Sequence, residues 1–131
     1  MSWVAVLAAF LVAHMVGDYL LQTDWQARHK RGGLGSDAVA RRALVTHVTT
    51  YTLAFLPALI WIGTELEPMW ALVAGVLIFF PHMLIDDGRI VSLYLVRVKR
   101  ADGLNFGLAA SVDQSFHVLS LFFVALLVGA G

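Results

Sequence analysis

Four long apolar stretches separated by short polar connections set the pattern of this chain, at about Trp3 to Gln22, Ala43 to Ile62, Pro68 to Leu95 and Leu108 to Val128. Each is near the roughly 20 residues that a helix needs to cross the hydrocarbon core of a bilayer. None shows the alternation of a half-buried strand. Because lipid offers no water to the backbone, separate segments of this kind fold as helices. The expected fold is an all-α membrane protein, one domain over residues 1–131 with four transmembrane helices in a bundle. A cleaved leader at Val4 to Ala13 is not expected: no basic residues precede the run, and it continues through Leu21.

The polar residues inside these stretches recur with one spacing. His14 and Asp18 stand at i and i+4, His82 and Asp86 repeat the pair, and Asp113 and His117 reverse it. On a helix such pairs share a face, one turn apart. His14-Met15-x-x-Asp18 matches His82-Met83-x-x-Asp86, and each is followed in the next helix by a further histidine, His47 or His117. Two duplicated helical hairpins related by an axis along the membrane normal would produce this. With helix directions alternating, all seven residues fall in the same half of the bilayer at similar depth.

Composition strengthens the membrane reading. Hydrophobic residues make up 60% and charged residues only 14%, against roughly 25% charged in soluble domains. Net charge is zero and there is no cysteine, so thiolate metal sites and cysteine nucleophiles are excluded. The distribution of charge is uneven. Arg28, Lys30, Arg31, Arg41 and Arg42 lie in the first connection and Arg97, Lys99 and Arg100 in the third, whereas the middle one holds Glu65 and Glu67. The positive-inside rule makes the basic connections cytoplasmic and both termini extracytoplasmic. Trp3, Trp61 and Trp70 then fall at the outer surface and Trp25 at the inner, as an aromatic belt.

An aspartate at the centre of a membrane helix costs roughly 2.5 to 3.5 kcal/mol, so three of them must be paired, hydrated, protonated or bound to a cation. Imidazole and carboxylate together suit zinc, manganese or iron. The expected centre is a divalent metal site, most simply zinc, with His14, Asp18, His82, Asp86, Asp113 and His117 as candidate ligands. His47 is a ligand or base, and His47 and Asp113 are the candidate catalytic groups. Catalysis would be hydrolysis by a metal-activated water on a lipid-borne or membrane-embedded substrate. The rivals are a proton or metal-ion conduit through alternating His and Asp, and a structural bundle whose His-Asp clasps fix helix register. Gln22 and Gln114 are second-layer donors or plain interface residues. Pro81 frees the carbonyl of Leu77 and could kink the third helix. Arg89 shares the face of Asp86 and could neutralise it, clamp an anion or snorkel to the interface, while Asp87 reads as a solvated helix-end residue. His29 and Asp24, in or beside the basic loop, make no strong claim. No nucleic-acid motif, phosphate-binding glycine loop or nucleophile elbow is present. The expected partner is the bilayer itself, with homo-oligomerisation open for so short a chain.

These residues carry a family resemblance. The motif H-x-x-x-D-Y-x-L-Q-T-D-W at His14 to Trp25 followed by Lys30, the early His47, H-x-x-x-D at His82 to Asp86 and D-Q-x-x-H at Asp113 to His117 resemble the domain-of-unknown-function-3307 family of small bacterial and phage integral membrane proteins. The resemblance covers nearly the whole chain and implies a multi-pass protein of the bacterial inner membrane. The H-x-x-x-D pairs are also distantly similar to those of membrane-bound metal-dependent hydrolases; no substrate follows from that analogy.

Overall fold

The computed structural model describes residues 1–101 and 105–131. Among them every regular element is helical: α1 (Trp3–Met15) running on into a π-helical turn (Val16–Leu21), α2 (Asp24–His29), α3 (Ala38–Ala54), α4 (Leu56–Glu65), α5 (Pro68–Asp86), α6 (Arg89–Arg97) and α7 (Phe106–Ala130). Trp3–Leu21, Pro68–Asp86 and Phe106–Ala130 are long and apolar enough to cross a membrane, and α3 with α4 makes a fourth span if the bent pair is taken together. The protein is an all-α membrane bundle.

The helix ends differ from those of the apolar runs, each for a local reason. The second span starts at Ala38, ahead of Ala43, because the Asp37 carboxylate caps the free N–H groups of Val39 and Ala40 at 2.8 and 3.2 Å. It then bends by 48° at Phe55, where Pro57 in the first turn of α4 has no N–H to continue the ladder. The run expected as one helix over 68–95 is two. Gly88 adopts a left-handed conformation with φ of 86°, and its N–H closes onto the Ile85 carbonyl at 2.9 Å, a glycine C-terminal stop. By contrast α5 passes Pro81 as a single helix.

The four spans form a ring in the order α1, α3, α5, α7, each packing on its two neighbours. Their outward faces are apolar and exposed, as at Val12, Leu20, Ile60, Leu72 and Phe123, which is the surface a lipid-facing bundle needs. The hydroxyls of Thr49, Thr50 and Thr52 on α3 bond back to carbonyls four residues earlier, so none is left unpaired toward lipid. The half of the interior nearer the termini is an apolar core around Val6, Phe10, Phe55, Ile62, Ile78 and Val124. At that end, added Cβ atoms on Gly129 and Gly131 would strike Trp3 and Trp70. The other half of the interior is polar.

Candidate metal centre

That polar half is built by the four spans, each contributing from a different wall. The π-helical turn, with its i to i+5 bonding, carries Asp18 and brings the backbone of Gly17 so near α3 that a Cβ there would lie 2.5 Å from Tyr51 Cδ2. On α3 the inward face presents His47, and four residues on Tyr51; α5 presents His82 and Asp86, and α7 presents Asp113 and His117. Asp18, His47, His82, Asp86 and His117 are all buried. All seven predicted residues therefore reach one region, with His14 and Asp113 at its margins.

Four ligand atoms converge. His47 Nε2 lies 3.2 Å from Asp18 Oδ1 and 2.9 Å from Asp86 Oδ2. His82 Nε2 lies 3.5 and 2.9 Å from the same two oxygens, and the two nitrogens are 3.1 Å apart. A tetrahedral ion with bonds of roughly 2.0 to 2.1 Å has ligand atoms about 3.3 Å apart. The five separations, from 2.9 to 3.5 Å, bracket that edge. The carboxylates are not placed as hydrogen-bond acceptors instead: among the described residues Asp18 Oδ1 and both oxygens of Asp86 have no partner of hydrogen-bond direction, although imidazole nitrogens stand around them. The four donors thus fit a tetrahedral divalent cation by type, spacing and burial.

A second group shares Asp86. Its Oδ1 is 3.5 Å from His117 Nε2, and Asp86, Asp113 and His117 each offer an atom to a common point. His117 Nδ1–H donates to the Asp113 carbonyl at 2.9 Å, which fixes the tautomer and leaves Nε2 a bare acceptor facing inward. Lys30 Nζ reaches the same Asp86 Oδ1 at 2.9 Å from the loop after α2. The lysine thus stands against this second group of donors. Asp113 is the least buried of the three carboxylates.

His14 stands apart from both groups. Its Nδ1 accepts from the Tyr51 hydroxyl at 2.9 Å, so its Nε2–H donates to Gln114 Oε1, also at 2.9 Å. The Gln114 amide in turn donates to Asp18 Oδ2 and Asp113 Oδ2 at 3.4 Å. This chain orients the carboxylates from behind, as the partners of metal ligands do. Tyr51 also stacks on His82, ring centres 3.5 Å apart, and holds that imidazole in place.

Three expectations about neighbouring residues change. Asp87 is not solvated but 3% exposed. Its carbonyl accepts from Gly32 N–H at 2.9 Å and its carboxylate from Leu34 N–H at 2.8 Å, so it anchors the basic loop. Arg89 pairs with Asp87 rather than Asp86; the cation that meets Asp86 is Lys30. Among the described residues Gln22 bonds only the Asp18 carbonyl, at 3.4 Å. Tyr51 and Lys30 are the site residues that the i, i+4 pattern passed over, and the available signal for Tyr51 was its own place four residues after His47.

A family model described as a protein of unknown function, DUF3307, matches residues 6–130. No curated protein and no solved structure matches the chain, so the likeness to membrane-bound metal-dependent hydrolases rests on the H-x-x-x-D pairs alone.

Proposed function

The chain belongs to the DUF3307 family, and we propose that it is a metal-dependent membrane hydrolase, its ion held by Asp18, His47, His82 and Asp86. The observation that carries this reading is the set of ligand atoms at tetrahedral spacing inside a buried cluster. Zinc is the simplest occupant of a two-imidazole, two-carboxylate set. A bound ion of this kind would supply Lewis acidity and lower the pKa of a water. Asp113, on the more open side, accepts the water's proton, and the Gln114 amide, which donates to Oδ2, holds that carboxyl in place. Relative to the sequence reading, which took His14, Asp18, His82, Asp86, Asp113 and His117 as ligands and His47 as ligand or base, this set takes His47 as a ligand, gives His14 an orienting role and leaves Asp113 and His117 outside it.

The conduit reading needs a polar route through the whole bundle. Among the described residues the fully buried side chains in the half nearer the termini are apolar, including Val6, Phe10, Ile62, Ile78 and Val128. The polar region therefore opens toward the basic end alone, which favours a site over a channel.

Elemental analysis of the detergent-purified protein tests the proposal. The wild type should carry a divalent metal in stoichiometric amount, and His82→Ala should lose it. A fully folded, metal-free wild type that gains no stability from added zinc would overturn the reading in favour of structural clasps.

A further inference from the structure

A cavity of about 630 Å³ opens at the basic end of the bundle, between the loop after α2, helix α6 and the first turns of α7. Ligand pockets typically span roughly 300 to 1,000 Å³, so this one has the capacity for a small molecule. Its inner wall includes Asp86 and Asp113, which places it against the candidate metal centre. Lys30 and Arg31 stand at its polar side, and most of the remaining lining is apolar, with Leu95, Val96 and Phe106 prominent.

We propose that this cavity binds an amphiphile with a phosphate head, the head lying between Lys30, Arg31 and the metal centre and the chain running along Leu95, Val96 and Phe106. The inference rests on the metal reading above for its balance of charge. Asp18, Asp86 and Asp113 together offset one divalent ion and one of the two basic side chains, which leaves a single net positive charge facing the cavity. Lys30 Nζ stands 2.9 Å from Asp86 Oδ1 as an ion pair and carries three N–H donors, so donors remain for an anion. Arg31 offers the planar fork that matches phosphate oxygens. An alcohol head would leave that remaining positive charge without a counter-charge at the cavity wall, and an ammonium head would be repelled by it.

The course of α7 gives the chain its path. Asn105, Ala109, Asp113 and His117 follow at four-residue intervals on one face, from the mouth to the centre, and at Ala109 and Ala110 the small side chains leave room. Phe106 at the mouth is 76% exposed. The mouth lies where the spans end, at headgroup level, so a bound chain can remain among the lipid acyl chains while its head reaches the centre.

The test uses the full-length protein in phosphatidylcholine nanodiscs, titrated separately with dodecyl phosphate, dodecanol and inorganic phosphate, with metal content measured on the same samples. Dodecyl phosphate should bind about tenfold or more tightly than either of the others, and Arg31→Gln and Ala109→Trp should each weaken it about tenfold with metal content unchanged. Equal binding of dodecanol would remove the phosphate head from the proposal, and equal binding of inorganic phosphate would remove the chain; either overturns it. So would variants that bind as the wild type does. Metal-loaded protein that ignores dodecyl phosphate sinks the cavity proposal alone, whereas metal-free protein that binds it with the same dependence on Arg31 and Ala109 sinks the metal reading and leaves the cavity standing.

Discussion

Asp86 is met by both a cation and imidazoles: Lys30 at 2.9 Å on one oxygen, His47 and His82 at 2.9 Å on the other, and His117 at 3.5 Å. Its replacement separates two roles. Asp86→Asn strips Lys30 of its partner, and breaking a buried ion pair from one side costs about 3 to 5 kcal/mol. The single variant should therefore be destabilised and metal-free. The double variant Asp86→Asn, Lys30→Met removes the orphaned cation as well, so it should regain most of the stability in denaturant unfolding while elemental analysis still finds no metal. A double variant that kept the metal would remove Asp86 from the ligand set. The seven intramembrane His and Asp residues were legible in the sequence because each interrupts an apolar run at a cost of several kcal/mol, which demands a partner. Lys30 was not, since in the chain it is one cation among five in a basic connection, and only the return of that loop over the end of α5 brings it to Asp86. His14 was legible as a member, but its bonds to Tyr51 and Gln114 were not, because a spacing of four places two side chains on one face without saying what the nitrogens of the ring will meet.

At the scale of elements, the spans were legible and their irregularities were not. Hydropathy averages over a window, so it passed through the bend at Phe55 and the stop at Gly88, each the work of one residue, Pro57 and the glycine itself. The i, i+4 pair His14–Asp18 invited a plain α-helix. The π-helical turn at Val16–Leu21 instead lets Asp18 approach His47 while His14 turns to Tyr51 and Gln114. Gly17 makes that turn compatible with α3, for an alanine there would place its Cβ 2.5 Å from Tyr51 Cδ2 and 3.2 Å from Tyr51 Cα. The backbone atom cannot swing aside as a side-chain end can, so Gly17→Ala should cost about 1 to 3 kcal/mol by overpacking. It should also push Tyr51 off His82 and lower metal occupancy, whereas Gly75→Ala, whose nearest atom would be 3.6 Å away on Leu59, should leave both unchanged. Thermal unfolding and metal content of the two variants check this; equal behaviour would mean that the close approach of the π-turn to α3 does not shape the site.

Over the whole molecule the repeated His-Met-x-x-Asp spacing sets His14 against His82 and His47 against His117. The ring pairs His14/His117 and His47/His82, which an exchange of hairpins would interchange, have centroids 5.6 and 5.2 Å apart. Their partners break the symmetry: Tyr51 corresponds to Leu121, Gln114 to Leu44 and Asp113 to Ala43 by the offset of the histidines. His47 and His82 thereby face the Asp18 and Asp86 carboxylates with Nε2, whereas both ring nitrogens of His14 are taken by Tyr51 and Gln114 and His117 keeps only Nε2 toward Asp86. A second asymmetry runs along the bundle axis. All nine lysines and arginines lie in the connections, in the short helices α2 and α6 or in the first five residues of α3, at the end where the cavity opens, and Glu65 and Glu67 lie at the opposite end. Basic residues beside spans resist translocation, so that end should be cytoplasmic, and the cavity should draw its occupant from the cytoplasmic leaflet. With α3 and α4 forming one bent span, four crossings put both termini outside. A fluorescent reporter at Gly33, in the loop held by Asp87, should then glow in the cytoplasm, and alkaline phosphatase fused after Gly131 should be active outside it. A glowing Gly33 reporter together with an inactive alkaline phosphatase would put both positions in the cytoplasm and mean that α3 and α4 re-enter rather than cross, leaving three spans. Both results reversed would keep the four spans and turn the cavity to the outer leaflet.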